Sequence, residues 1–469
     1  MAIGIQLPCD VAIEPSVDAS APAGTRYFVL GATVLASSMA LIDGSVVNVG
    51  LPTIGRSFGA EAETLPWVVT SYLIPLSALL LLGGAAGDRF GRRRLLMIGV
   101  SLFAIASLVC ACAPSLAILL IGRFAQGVGA AFLMPNSLAV LGQTFLGAEK
   151  ARAIGIWASA GAISGAIGPV AGGTLIDYGS WRLVFFINIP LAATSLLLAW
   201  RYLPADVDRK EPKLDLLGGS LATSGLAGLS WALTKYSAKG GWSPEGAAIL
   251  VLALAALTSF LFVEKHRGDR AMLPLGLLAS RSFIGLTLLT MLLYGALGAV
   301  LVLLPFTLMQ SANFSSAAAG AAMLPLPLTL SIVSPFMGSI SARTSSRTVL
   351  SIGPLIVASG FMLALRIGPD ASLWRDVYPA VIILALGLGC AAAPLTTAVL
   401  NSVEVRHSGS ASGFNSAVAR TGGLMATSLL AGVMASEGTD FVRAFHMALV
   451  IAAAASLAAS LAAFSLVER

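Results

Sequence analysis

Asp43 lies in the apolar run Met39-Ala-Leu-Ile-Asp43-Gly-Ser-Val-Val-Asn48 and is the residue best placed to do chemistry. Of the 22 acidic residues it alone sits well inside an apolar segment; the others fall in tails, loops or segment ends. An ionised aspartate at the centre of a bilayer costs about 2.5–3.5 kcal/mol on insertion scales, so such acids usually face a wet cavity and serve a coupled function. Asp43 is therefore expected to take up and release a proton as solvent access or a bound compound changes. Arg123, in another apolar segment, is its basic counterpart: a permanently charged guanidinium can hold the ionised carboxylate and release it when the segments move. The plainer role for Arg123 is a clamp on backbone carbonyls. Arg420 is a second arginine within an apolar run and has no intramembrane acid in its own half of the chain. Asp43 and Arg123 read as a proton-coupling pair, and Asp43, Asn48, Trp67, Tyr72 and Arg420 as the lining of a substrate cavity. Trp67 and Tyr72 suit anchors at the membrane surface equally well.

Two further clusters have mechanical readings. In Gly84-x-x-x-Asp88-Arg89-x-Gly91-Arg92-Arg93, Gly91 permits a tight turn, Asp88 can sit by a helix N-terminus, and the arginines can bridge to facing helix ends. These residues form a candidate cytoplasmic gate. The run with Gly161, Gly165, Gly168-Pro169 and Gly172-Gly173 lets a neighbouring backbone approach closely and bends at the proline, for transport or for packing alone.

The elements that carry these residues follow from composition. The chain has 469 residues, 57% of them hydrophobic and 11% charged, with a mean hydropathy of +0.89. Soluble domains carry roughly 25% charged residues, so lipid rather than water is the expected solvent. A crossing helix needs about 20 apolar residues, and about fourteen crossings use ~300 residues, leaving no large domain outside the membrane. The net charge of +6 comes from basic residues in short loops, as membrane topology requires, and no nucleic-acid partner is expected.

Apolar runs predict crossings at 27–49, 65–86, 95–112, 116–141, 153–176 and 181–200, then 214–233 and 247–263, then 283–308, 317–340, 349–365, 377–400, 409–434 and 441–466. The pattern is six, two, six, in an all-α membrane protein, with possible breaks at Pro325, Pro327 and Pro335. The divisions are a tail (1–26), a first six-helix bundle (27–201), two inserted helices with flanking loops (202–280) and a second bundle (281–469). With the N-terminus inside, 19 Lys and Arg fall in cytoplasmic loops and tails against 7 outside, which places both termini in the cytoplasm.

An internal repeat agrees with two parallel halves. The segment 84–99 lays onto 338–353, matching Arg89 to Arg343 and Arg93 to Arg347. Gly155 and Gly165 share their spacing with Gly413 and Gly423. The inserted pair lacks a charge in its apolar runs and is expected to be peripheral. Cys9, Cys110, Cys112 and Cys390, with His266, His407 and His446, have no metal or disulfide spacing, so neither metal nor cofactor is expected. There is no Gly-x-x-x-x-Gly-Lys-Ser/Thr loop for ATP, and the chain is not expected to be an enzyme.

Gly84 to Arg94 resembles the signature loop of the major facilitator superfamily, with Ala86 for the usual leucine. Leu119-x-x-x-Arg123-x-x-Gln126-Gly127-x-Gly129-Ala130-Ala131 resembles its fourth-helix motif, associated in that family with proton transfer. Ser164-x-x-x-Gly168-Pro169-x-x-Gly172-Gly173-x-Leu175 resembles the fifth-helix antiporter motif, with Ser164 for glycine. Leu41-Ile-Asp43-Gly-Ser45-Val-Val-Asn48-Val-Gly50-Leu51-Pro52 resembles the first-helix motif of fourteen-helix drug:proton antiporters, with Ser45 for threonine and Gly50 for alanine. The resemblance implies that Asp43 carries the coupling proton, that Arg123 tunes it, that the Asp88 loop gates the cytoplasmic side, and that Gly168-Pro169 forms an inter-half interface. Ala342 and Ser345 depart from the signature in its second copy, which argues against a symmetric second gate.

The expected function is proton-coupled export of small hydrophobic, cationic compounds by alternating access, by a monomer in the cell inner (cytoplasmic) membrane. An exporter of anionic or lipid-like metabolites would instead anchor its cargo on Arg123 or Arg420. A peptide importer lacks support, because no Glu-x-x-Glu-Arg-like motif occurs in the first helix. A receptor or scaffold without flux is the reading from another class.

Overall fold

The computed structural model describes residues 25–145, 147–206, 215–267, 276, 280–341, 344–402, 408–436 and 438–467. The expected N-terminal tail, apart from Thr25 and Arg26, and the repeat's Ala342 and Arg343 lie outside these residues, as does the Asp88 side chain. Everything described is helical or a connection between helices.

The first half comprises α1 (Arg26–Phe58), α2 (Pro66–Phe90), α3 (Arg92–Ala111), α4 (Leu116–Thr144), α5 (Gly147–Tyr178), the single turn α6 (Leu183–Phe186) and α7 (Asn188–Tyr202). The hairpin α8 (Leu216–Lys239) and α9 (Pro244–Arg267) follows. The remainder is α10 (Arg281–Gln310), α11 (Ser316–Ala322), α12 (Pro325–Ser341), α13 (Ser346–Ala364), α14 (Tyr378–Asn401), α15 (Ser408–Ser428), α16 (Ala431–Met434) and α17 (Gly438–Leu466). Several starts are written locally: the hydroxyls of Ser115, Ser280 and Ser315 accept from the amides of Ile118, Phe283 and Ala318 at 3.4, 3.3 and 3.2 Å.

Among the described residues, twelve helical segments are long and apolar enough to cross a membrane. The protein is a multi-pass, all-α membrane protein. Large apolar side chains on its perimeter are exposed, among them Ile105, Ile121, Leu197 and Val251, as lipid-facing surfaces require.

Four expected crossings differ in detail. α1 runs on through Pro52 to Phe58, beyond the expected end at Val49. A membrane helix tolerates proline when neighbouring groups compensate. The crossing at 181–200 divides at Ile187 into α6 and α7. The one at 317–340 divides at Met323–Leu324, directly before Pro325, whose ring disfavours helical backbone in the preceding residue. That at 409–434 ends as α15 at Ser428, where Leu429 and Leu430 donate to Ala426 and Thr427 at 3.1 and 3.0 Å, a tighter winding that closes the helix.

In the first half, α4 packs on α2 and α3, and α1 on α5 and α7; in the second, α10 packs on α15 and α17, and α14 on α12 and α13. The halves meet where α2 touches α15 and where α5 touches α11 and α12. Among these packed pairs α9 touches only α8, whereas α8 leans on α2, α15 and α16. Arg267, ending α9, pairs with Asp215, the N-cap of α8, at 2.5 Å and closes the hairpin.

Candidate functional site

Glycines set the depth at which Asp43 and Arg123 meet. A Cβ on Gly129 would come within 2.8 Å of the Phe103 backbone nitrogen on α3, and one on Gly127 would overlap the Tyr72 carbonyl on α2. α4 therefore lies against two backbones at once. One turn earlier, this contact drives Arg123 into the space between α1 and α2.

There Arg123 is 1% exposed and Asp43 not at all. The Arg123 Nη1 donates to Asp43 Oδ2 as a buried ion pair, and also to Gln126 Oε1 at 2.8 Å. Its Nε donates to the Val68 carbonyl at 3.0 Å. The other carboxylate oxygen, Asp43 Oδ1, accepts from Gln126 Nε2 and Asn188 Nδ2, each at 3.0 Å. Both amides also donate to Ser107 Oγ, at 2.8 and 3.2 Å. The Arg123 guanidinium stands 4.5 Å above the Tyr72 ring, whose hydroxyl donates to the Ala40 carbonyl at 3.2 Å. Five helices thus converge on one carboxylate. A buried charge pair survives desolvation when its lone pairs and protons find partners, and here both Asp43 oxygens and the Arg123 Nη1 and Nε are hydrogen-bonded.

Ser107 and Cys110 carry no signal of this role in the sequence, Asn188 only a faint one, and Gln126 stands out there only as part of the fourth-helix motif. The Cys110 thiol contacts Gln126 Oε1 at 3.4 Å. Asn188 is the first residue of α7, so the division at Ile187 is what turns its amide inward. The available signal was a lone amide in an apolar run, followed two residues later by Pro190.

The other expected residues are dispersed. Asn48 is buried on α1 with its Oδ1 lacking a hydrogen bond. Trp67 packs against an apolar cluster that Ile74 and Ala78 of α2, Ala222 and Leu226 of α8 and Leu424 of α15 build together. Arg420, on α15, reaches across to the Met134 sulfur on α4 at 3.3 Å. A cavity of about 1060 Å3 opens between the ends of α1, α10 and α17, bordered by Arg56, Phe306 and His446. None of Asp43, Asn48, Trp67, Tyr72 and Arg420 borders it.

At the opposite end of the first half, Gly91 has φ +100° and is pressed against Asp206. The Asp206 carboxylate accepts the amides of Arg93 and Arg94, each at 2.9 Å, and caps α3. Arg93 donates to the Trp200 carbonyl at 2.6 Å, and Arg92 to that of Ala139 at 3.1 Å. The turn around Gly91 therefore binds the ends of α3, α4 and α7. A Cβ on Gly84 would only touch Pro135, and Arg89 stacks near Phe90.

In α5, Gly168 and Gly172 abut Ser45 and Val46 of α1. Gly173 abuts the Ser316 backbone, Pro169 abuts Gly320, and a Cβ on Gly165 would meet nothing. The α5–α11 contact is made backbone to backbone between the halves. Asp177, one turn on, accepts the amides of Ser316 and Ala317 at 3.1 and 2.8 Å, a cross-half cap that its sequence, one acid at a helix end, does not reveal.

The chain is similar to known membrane transporters along most of its length. It is 33% identical to the puromycin resistance protein pur8 of Streptomyces alboniger over 90% of this chain and 84% of that one. It is 31% identical to the multidrug resistance protein Stp of Mycobacterium tuberculosis (88% and 76%), and 30% to the methylenomycin A resistance protein of Bacillus subtilis (93% and 94%). A solved bacterial homolog of the human lysosomal transporter Spinster, inward-facing and unoccupied, superposes with a TM-score of 0.67 at 16% identity, covering 96% of this chain and 99% of that one. At that identity the likeness speaks for the fold. The chain is a membrane transporter and not an enzyme. The family model for the Major Facilitator Superfamily matches residues 33–282, and with these relatives it places the chain in that superfamily.

Proposed function

We propose that this protein exports small hydrophobic compounds across the bacterial inner membrane, driven by protons that enter through Asp43. Relatives named for drug and antibiotic resistance support export. The observation that carries proton coupling is the buried Asp43–Arg123 pair with Gln126 and Asn188 on its free oxygen.

Protonating Asp43 removes the charge that holds Arg123. The guanidinium keeps the Val68 carbonyl, Gln126 Oε1 and the Tyr72 ring as partners, so it need not be stranded when the pair is broken. The shared amides of Gln126 and Asn188 can then transmit the change to α3 and α7 through Ser107. Both oxygens of ionised Asp43 are occupied, which leaves little room for it to anchor the cationic cargo expected from sequence. The proton is its ligand in this reading.

The proposed architecture has fourteen crossings: the twelve apolar segments together with α2 and α5, helices of 25 and 32 residues. Two bundles, residues 27–201 and 281–469, rock about the inter-half contacts, with the α8–α9 pair in 202–280 at the side. Both termini lie in the cytoplasm and a monomer suffices. The Gly91 turn then faces the cytoplasm and, with Arg89, Arg92, Arg93 and Asp88, braces the gate; the Gly173–Ser316 contact closes the outer side. The test is uptake of a fluorescent hydrophobic dye into inside-out proteoliposomes. Transport should appear with an imposed acid interior, vanish when a protonophore collapses the gradient, and move protons oppositely to dye; dye flux indifferent to the gradient would refute coupling.

A further inference from the structure

Arg420 is a strong cation held in the contact zone between the halves, and among the described residues no acid neutralises it. Among the described residues its hydrogen-bond acceptor is the thioether of Met134, a weak one for a guanidinium carrying five donors. Among the described residues none of the ion pairs involves Arg420, and its electrostatic neighbour is the Tyr72 hydroxyl rather than a carboxylate. Arg123 differs completely: its charge is met by Asp43. A charged residue inside a membrane protein without a counter-charge commonly marks a substrate or ion pathway.

The surroundings leave room for a ligand. On α15, Ser416, Arg420 and Gly423 recur at i, i+4 and i+7 and so share a face. Ser416 is exposed, and a Cβ on Gly423 would meet no atom within 4 Å. Across this space stand Met134 on α4 and Tyr72 on α2, so apolar and aromatic surface from the first half faces the cation from the second.

We propose that Arg420 anchors an anionic group, a carboxylate or its equivalent, on an otherwise apolar cargo. A guanidinium offers a carboxylate two parallel hydrogen bonds, while the aromatic and thioether surfaces accept the hydrocarbon part. The proposal rests on the transporter reading above and specifies its substrate class. It also divides the work: Asp43 exchanges the proton, and Arg420, in the opposite half, meets the cargo.

The test uses three probes that share one fluorophore: 1-pyrenebutyrate, its methyl ester, and 1-pyrenebutyl-trimethylammonium. Their binding to the purified full chain in neutral detergent is followed by fluorescence, without a gradient. Pyrenebutyrate should bind at least about tenfold tighter than the ester or the cation. Arg420→Gln should abolish that preference while binding the ester as wild type does, and Arg420→Lys should retain part of it. Equal affinity for the three probes, preference for the cation, failure of pyrenebutyrate to bind, or a preference that survives Arg420→Gln would each overturn the proposal. If Arg420→Gln does not fold, the wild-type ranking and Arg420→Lys still decide. Preference without gradient-driven flux in proteoliposomes would leave the site standing and defeat the transport reading; flux without preference would do the reverse.

Discussion

The carboxylate of Asp177, on the last turn of α5, accepts the backbone amide of Ser316, on the first turn of α11, at 3.1 Å, and so joins the two halves of the protein by capping a helix of one with a side chain of the other. A charge at a helix N-terminus is worth about 0.3–1 kcal/mol when exposed. Asp177→Ala should therefore shift the closed-to-open ratio at this face about two- to fivefold toward open. Spin labels at Tyr178 and Ser311, in a background with the native cysteines replaced, should report a broader, longer distance distribution. Asp177→Asn, which keeps an acceptor oxygen, should lie between. A distribution unchanged by Asp177→Ala would show that the backbone contact at Gly173 closes this face unaided.

Asp43→Asn keeps the volume and an acceptor for Gln126 and Asn188 but leaves Arg123 charged and buried. Gradient-driven export should fall to the level of empty vesicles. Removing one partner of a buried pair costs about 3–5 kcal/mol, whereas replacing both is often far milder. The double variant Asp43→Asn/Arg123→Gln should accordingly melt higher than Asp43→Asn alone while remaining uncoupled. Thermal unfolding in detergent checks the first statement. Normal export by well-inserted Asp43→Asn would remove the residue from proton coupling.

These two residues differ in how openly the sequence displays them. A lone carboxylate in an apolar run is conspicuous because lipid makes its charge costly, so Asp43 and Arg123 could be singled out before any helix was placed. Ser107 and Asn188 are neutral, and a neutral polar group in such a run is ordinary; only the packing of α3 on α4, and of α7 on α1 and α3, brings them to Asp43. Asp177 looks like any acid at a helix end until α11 is placed opposite. The helix division at Pro325 is legible from proline chemistry, while the one at Ile187 is not, since Pro190 falls after the break. Periodicity and charge reveal which segments enter lipid, but register between distant segments is a property of their packed surfaces.

Gln126 links both members of the ion pair to Ser107, so it positions the proton site without itself carrying charge. Gln126→Leu should preserve insertion and slow gradient-driven export severalfold, because Asp43 and Arg123 each lose a hydrogen-bond partner. Ser107→Ala, which leaves Asp43 its direct partners, should slow it less. Proteoliposome export measured at a fixed gradient distinguishes them; identical rates for wild type and Gln126→Leu would assign Gln126 to packing only.

Gly91 presents a separate stability test at the other end of the first half. Its φ of +100° is one that side chains rarely adopt, and a Cβ there would also overlap the Asp206 carboxylate. Gly91→Ala therefore incurs backbone strain, of order 1–3 kcal/mol, and displaces the cap of α3. Asp206→Ala leaves the Arg93 and Arg94 amides without their acceptor and should cost about 1 kcal/mol. Because the carboxylate is already disturbed in Gly91→Ala, the two losses should not add. The double variant should melt close to Gly91→Ala alone, whereas two independent defects would sum. Strict additivity would mean that the strained turn and the cap act separately, and the tight junction of α3 and α7 at this turn would then owe nothing to their contact.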